Sequence, residues 1–177
     1  MTMLSVPVRE SDHIYGDASA RVTLVEYGDY ECEYCGFAYP IIRQVQDHFG
    51  KRLRFVFRNF PLTEIHPLAE GAAEIAEFAG AHGKFWEMHD QLYANQSELG
   101  MPLYLAIAES LDLPEQGLRA ALADERFAPK IKDDFLGGVR SGVNGTPAFY
   151  INQRRHDASY DYEVLCSAID TQLGAER

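Results

Sequence analysis

The chain is expected to fold as an α/β domain interrupted by an inserted α-helical subdomain. Three observations predict this. Two β-rich runs, residues 21–27 and 53–60, flank a stretch with helical spacing; residues 64–143 then read as almost unbroken helix; and the chain returns to strand composition at 147–151.

In order, residues 21–27 (RVTLVEY) carry apolar side chains at Val22, Leu24 and Val25, which suits a strand covered on both faces, and Gly28 and Asp29 end it. After Cys32 the spacing turns helical. Phe37, Ile41, Val45 and Phe49 recur every four residues as the expected buried stripe, and Gly50 offers a C-terminal stop. Pro40 is expected to kink this helix without ending it, because the apolar repeat continues past it. Residues 53–60 (LRFVFRNF), with Phe55 and Phe57 on one side and Pro61 closing the run, read as a second strand. Strand, helix and strand make a βαβ unit, which demands a parallel pair. The helical block that follows, punctuated by Gly83, Gly100, Pro102, Pro114 and Pro129, is too long for a simple crossover. Beyond it, 147–151 reads as a strand, Asn152 and Gln153 as a turn, and 154–158 as a short return strand. Residues 162–173 read as an amphipathic helix with Val164, Leu165, Ile169 and Leu173 inward. The expected boundaries are an N-terminal extension over 1–13, one discontinuous domain over 14–62 and 130–175, and the helical insertion over 63–129.

A length of 177 residues suits one domain with an insertion, and 46% hydrophobic with 24% charged residues is globular composition. The net charge of -11 is spread along the chain, which predicts an acidic surface and argues against nucleic acid as a partner. No apolar run reaches membrane-spanning length, so no membrane insertion is expected. The opening MTMLSVPVRESDHIYG lacks a basic stretch followed by an apolar core and a small-residue cleavage site; a cytoplasmic location is the expectation, and an exported mature form would look the same at this end.

Three cysteines are too few and oddly numbered for a disulfide framework, yet Cys32 and Cys35 stand three residues apart at a strand-to-helix junction. In the first turn of a helix they would point to one side with their sulfurs within bonding reach. Cys32, at the end where unpaired amides and the positive helix pole favour an anion, is the expected nucleophile; Cys35, one turn deeper, is the expected resolving thiol. A zinc site would need two further ligands, and only Cys166 and six scattered histidines remain, so no metal is expected. Cys166 reads as a core residue; His66, before Pro67, reads as a helix entry, and His82 and His89, on a helical pattern, as packed or surface histidines. Phe78, Phe85, Trp86 and Tyr93 read as the core of the insertion.

The run VTLVEYGDYECEYCGFAYP, with Glu26 six residues before Cys32 and Pro40 five after Cys35, resembles the active-site strand and helix of thioredoxin-like proteins. FPL at 60–62, HPLAEGAAEIAEFAGAHGKFWEMHDQLY at 66–93 and GVNGTPAFYI at 142–151 are similar to the DsbA-like branch, so the resemblance covers about residues 14 to 173. It implies a thioredoxin fold with an inserted helical subdomain and a thiol-disulfide oxidoreductase acting on protein or peptide substrates. Such an enzyme needs no cofactor beyond its own Cys32–Cys35 disulfide and has a redox recycling partner, here unidentified. Pro147 matches the family's cis-proline facing the dithiol, and Thr146 the residue whose backbone binds substrate as an added strand. Glu26 matches the buried acid that takes the proton from Cys35. The motif dipeptide, Glu33 and Tyr34, lacks the basic residue of DsbA itself. A carboxylate there disfavours a second negative charge, so the Cys32 pKa is expected nearer the thioredoxin value of about 7 than the DsbA value of about 3.5. Two other readings share the architecture: a redox-switched peptide-binding protein or chaperone, and a kappa-class glutathione transferase or isomerase, whose members generally replace the CxxC.

Overall fold

The computed structural model describes residues 2–174. Strand β1 (His13–Gly16) precedes β2 (Val22–Gly28), helix α1 (Glu33–Phe49) and β3 (Leu53–Asn59). Five helices follow, α2 (Ala69–Ala81), α3 (Phe85–Ala94), α4 (Met101–Ser110), α5 (Glu115–Ala123) and α6 (Ala128–Arg140). The chain closes with the hairpin β4 (Ala148–Ile151) and β5 (Arg154–His156) and helix α7 (Tyr162–Gly174). The sheet order is β1-β3-β2-β4-β5. The β2–β3 pair is parallel, as the βαβ reading requires, and the other pairs are antiparallel.

Both faces of the sheet are covered, which is why β2 and β3 read as near-continuous apolar runs. Val22, Leu24, Phe55, Phe57, Phe149 and Ile151 face a core shared with α1, α7 and the helices of the insertion. Val25, Tyr27, Val56 and Tyr150 face a smaller core with Leu4, Phe60 and Val143, against which Phe135 of α6 packs. Strand alternation therefore places Glu26 on the same face as Leu24, opposite Phe57 on one neighbour and Phe149 on the other.

Three local expectations need correction. In α1 the buried stripe is Cys35, Ala38, Ile42, Val45, Gln46 and Phe49, while Phe37 is 57% exposed. A strict repeat of four overshoots a 3.6-residue turn by about 40° per step, so a row beginning at Phe37 starts outside the core and drifts into it only at Val45. The helix itself runs on through Pro40. In α7, Val164 is 36% exposed, and the inward set is Leu165, Cys166, Ile169 and Leu173. The return strand spans only 154–156, after a turn in which Asn152 and Gln153 both take positive φ. Strand β1 had no sequence signal, because four residues are too few to display a period.

The segment before β1 is tied down by a buried cation. Arg58 on β3 forks onto Asp12, with Nε to Oδ1 at 2.9 Å and Nη2 to Oδ2 at 2.8 Å. Its remaining donors reach the carbonyls of Val6 and Pro7 and the hydroxyl of Tyr27. Every face of the guanidinium is thus occupied, the condition under which a buried charge is tolerated.

Candidate active site

Cys32 occupies the N-cap of α1 in extended conformation, with no side chain capping the helix, so its sulfur stands where the first-turn amides point. Cys35, one turn on, is fully buried, and both cysteines are free thiols. The Cys35 thiol donates to the Cys32 sulfur; together with the Thr146 hydroxyl and the amides of Cys35 and Tyr34, this outweighs burial and pulls Cys32 down to about 5. Cys35 moves the opposite way, pushed well up by burial and then by its bond to Cys32. One thiol is thereby ionised at neutral pH and its neighbour keeps its proton.

The Cys32 value lies below the expectation of a pKa nearer 7. The charge of Glu33 was the reason for that expectation, but Glu33 is exposed to solvent, and the hydrogen bonds at the helix start decide the outcome. Titrating the thiolate absorbance of the reduced protein is expected to give a midpoint near 5; a midpoint near 7 would restore the acidic dipeptide as the controlling feature.

The Thr146–Pro147 peptide bond is cis, and it brings the Thr146 carbonyl to the Cys32 thiol, which donates to it at 3.4 Å. The Thr146 hydroxyl is buried beside the dithiol and makes no hydrogen bond among the described residues. Tyr34 lies exposed on the rim.

Glu26 is 3% exposed between aromatic neighbours, and burial first, then the charge of Cys32, lifts its carboxyl to about 8. Since the folded value exceeds the ordinary 4.5, its contribution to stability is fully present below pH 4.5 and is lost as pH rises toward 8. Glu26→Gln removes this dependence. Denaturation of the two proteins should coincide near pH 4.5 and diverge in favour of Gln by up to about 5 kcal/mol near pH 8. Parallel stability curves would place the carboxyl in water.

The structure adds residues that carried no sequence signal for this site. The Asp29 amide donates to the Cys35 sulfur at 3.5 Å, and its carbonyl accepts from Cys32 N–H at 3.2 Å and from the Tyr93 hydroxyl at 3.4 Å. The Asp29 carboxylate receives the Glu31 and Leu62 amides and the His66 ring. Gln96, in the helical insertion, donates to the carbonyls of both Tyr30 and Cys32 at 2.8 Å. Gly36 makes room for it, since a Cβ at that position would lie 2.2 Å from the Gln96 Oε1 atom. His89 packs as expected: burial brings it down to about 3, and its Nδ1 and the Tyr30 hydroxyl share a hydrogen bond at 3.0 Å. Cys166 packs in the larger core, and burial raises its thiol. Among the described residues no group of three or more His, Cys, Asp or Glu is placed to hold a metal.

A family model described as Thioredoxin matches residues 9–171. The chain is 47% identical over 175 residues to the Na(+)/H(+) antiporter NhaA 1 of Salinispora arenicola, covering 98% of the chain but only 27% of that protein. No helix among the described residues is long and apolar enough to cross a membrane. The oxidised form of BdbD from Bacillus subtilis superimposes with a TM-score of 0.87 at 24% identity, covering 98% of each chain. Pseudomonas aeruginosa DsbA2 gives 0.73 at 26% identity, over 93% of this chain and 96% of that one.

Proposed function

The chain belongs to the thioredoxin family and has the DsbA-like fold, and from that premise we propose that it exchanges disulfides with protein or peptide substrates through Cys32 and Cys35. The observation that carries the reading is the split between the two thiols: Cys32 is pulled down to about 5 while Cys35 is driven up. A pair divided in this way has one sulfur ready to attack and a second held in reserve.

In the reducing direction, the Cys32 thiolate attacks a substrate disulfide, one S–S bond forms, and a substrate thiolate leaves. Cys35 then gives its proton to the ionised fraction of Glu26, which grows as pH rises toward 8, directly or through water, and attacks the Cys32 sulfur. The second substrate thiolate departs, two electrons having passed from the dithiol to the substrate. The oxidising direction runs the same steps backwards, and the electrons come from or return to the dithiol itself, with no cofactor. A stabilised Cys32 thiolate favours the dithiol form and makes Cys32 a good leaving group, so oxidation of substrates is the favoured direction. The substrate chain is proposed to lie against Thr146 and Pro147, beside the exposed rings of Tyr34 and Phe37.

Turnover tests this. The protein should oxidise a reduced protein substrate or reduce insulin, and one equivalent of iodoacetamide at pH 6, where Cys32 alone is ionised, should stop it. Its reduction potential in a glutathione buffer should lie above the thioredoxin value of about −270 mV. No turnover in either direction, or turnover that survives alkylation of Cys32, would overturn the reading.

A further inference from the structure

The motif dipeptide brings no cation to the dithiol, yet a buried anion lies directly beneath it. The Asp29 side chain is completely buried, while its backbone braces both cysteines, through the amide to the Cys35 sulfur and the carbonyl to the Cys32 amide. An unbalanced carboxylate in that position would repel the charge that Cys32 has to carry. Among the described residues, the titratable cationic group in hydrogen-bond contact with that carboxylate is His66, whose Nδ1 stands 2.8 Å from Oδ2. Its ring is 21% exposed, so it can exchange protons with solvent from its place in the loop between β3 and α2.

We propose that Asp29 and His66 form a positioning pair, in which the imidazolium cancels the buried carboxylate so that Asp29 can brace the two cysteines without opposing the Cys32 thiolate. The pair rests on the reading of Cys32 as the nucleophile and adds to it the cation that offsets the buried carboxylate beneath the dithiol. The neighbours of the ring agree with the assignment. The groups acting on His66 are Asp29 from the end of β2 and Cys32 and Glu31 from the start of α1, and together they raise its pKa against the opposing effect of burial. Glu31 is itself engaged, its carboxylate accepting the Leu68 amide at 2.6 Å.

The pair has a redox consequence. When the dithiol closes to a disulfide the Cys32 charge disappears, one of the anions holding the His66 proton is gone, and the ring should release that proton at lower pH. By linkage, a protonated His66 favours the dithiol.

The test follows the proton. An NMR titration of the imidazole resonances in dithiol and disulfide forms, with His66 assigned by its loss in His66→Gln, should place the His66 midpoint lower in the disulfide form. Equal midpoints would overturn the proposal. In the reduced protein, His66→Gln should raise the Cys32 midpoint by about one unit, a roughly tenfold smaller thiolate fraction below the midpoint. Removing both charges, in Asp29→Asn with His66→Gln, should bring the thiolate fraction back to within about threefold of the parent. A Cys32 midpoint that stays raised in the double variant would make His66 merely structural, and should that variant fail to fold, the titration of the unmodified protein still decides. Failure of the proposed function is separable, because a protein without turnover can still show the coupled titration, and one that turns over can lack it.

Discussion

Cys35→Ser is expected to capture substrates that the unmodified protein releases. Cys32 keeps its helix amides and the Thr146 hydroxyl, so the first attack proceeds, although the loss of the Cys35 donor, the largest contribution to its ionisation, should raise its midpoint. The second attack has no sulfur, and the mixed disulfide accumulates as a species that resists non-reducing electrophoresis and disappears with dithiothreitol. Cys32→Ser should show neither capture nor turnover, with activity down at least about a thousandfold, as expected when the nucleophile itself is removed. Capture by the Cys32 variant and not by the Cys35 variant would reverse the two roles. In the proposed mechanism Glu26 enters at the second step, where its carboxyl and the Cys35 thiol, both displaced upward by burial, would exchange a proton.

Arg58→Met should cost about 3–5 kcal/mol, the largest stability loss anticipated for a single substitution outside the dithiol. The removed guanidinium leaves the Asp12 carboxylate, which it holds below the usual range, buried without its cation, and strips the Val6 and Pro7 carbonyls of their donors. Urea denaturation at neutral pH measures the loss. Pairing Arg58→Met with Asp12→Leu should recover much of it, because a desolvated pair exchanged for apolar side chains is often neutral, whereas a half-removed pair is not. The Cys32 midpoint should not move in either variant, since the hydrogen bonds of this cluster reach Asp12, Val6, Pro7 and Tyr27 and neither cysteine.

What could be read from the sequence was what a few neighbouring residues encode. β2, α1 and β3 announced themselves by apolar runs and by the breaks at Gly28, Gly50 and Pro61. Cys32 and Cys35 were legible because their spacing is itself the chemistry, and Thr146 with Pro147 because a resemblance pointed to that loop. Asp29, His66 and Gln96 were not legible, because each matters only through contacts made across the folded chain. Asp29 reads as a strand terminator until its backbone is seen on both cysteines, and Gln96 lies 64 residues along the chain from Cys32. The groups that set the acidity of Cys32 are hidden from the sequence for a related reason. Counting charges in the motif gives weight to Glu33, whose side chain is exposed to water, and none to the Cys35 thiol, which is the largest contribution, or to the first-turn amides, all of which only the fold places around the Cys32 sulfur.

The seat that Gly36 leaves for Gln96 has a consequence for modularity. The first turn of α1 and the loop of the insertion that carries Gln96 fit as tongue and notch, so neither can be transplanted alone. A side chain at 36 would push the Gln96 amide off the Tyr30 and Cys32 carbonyls, so a chimera that borrows its helical insertion from a relative is expected to keep this clasp only where residue 36 leaves the same room.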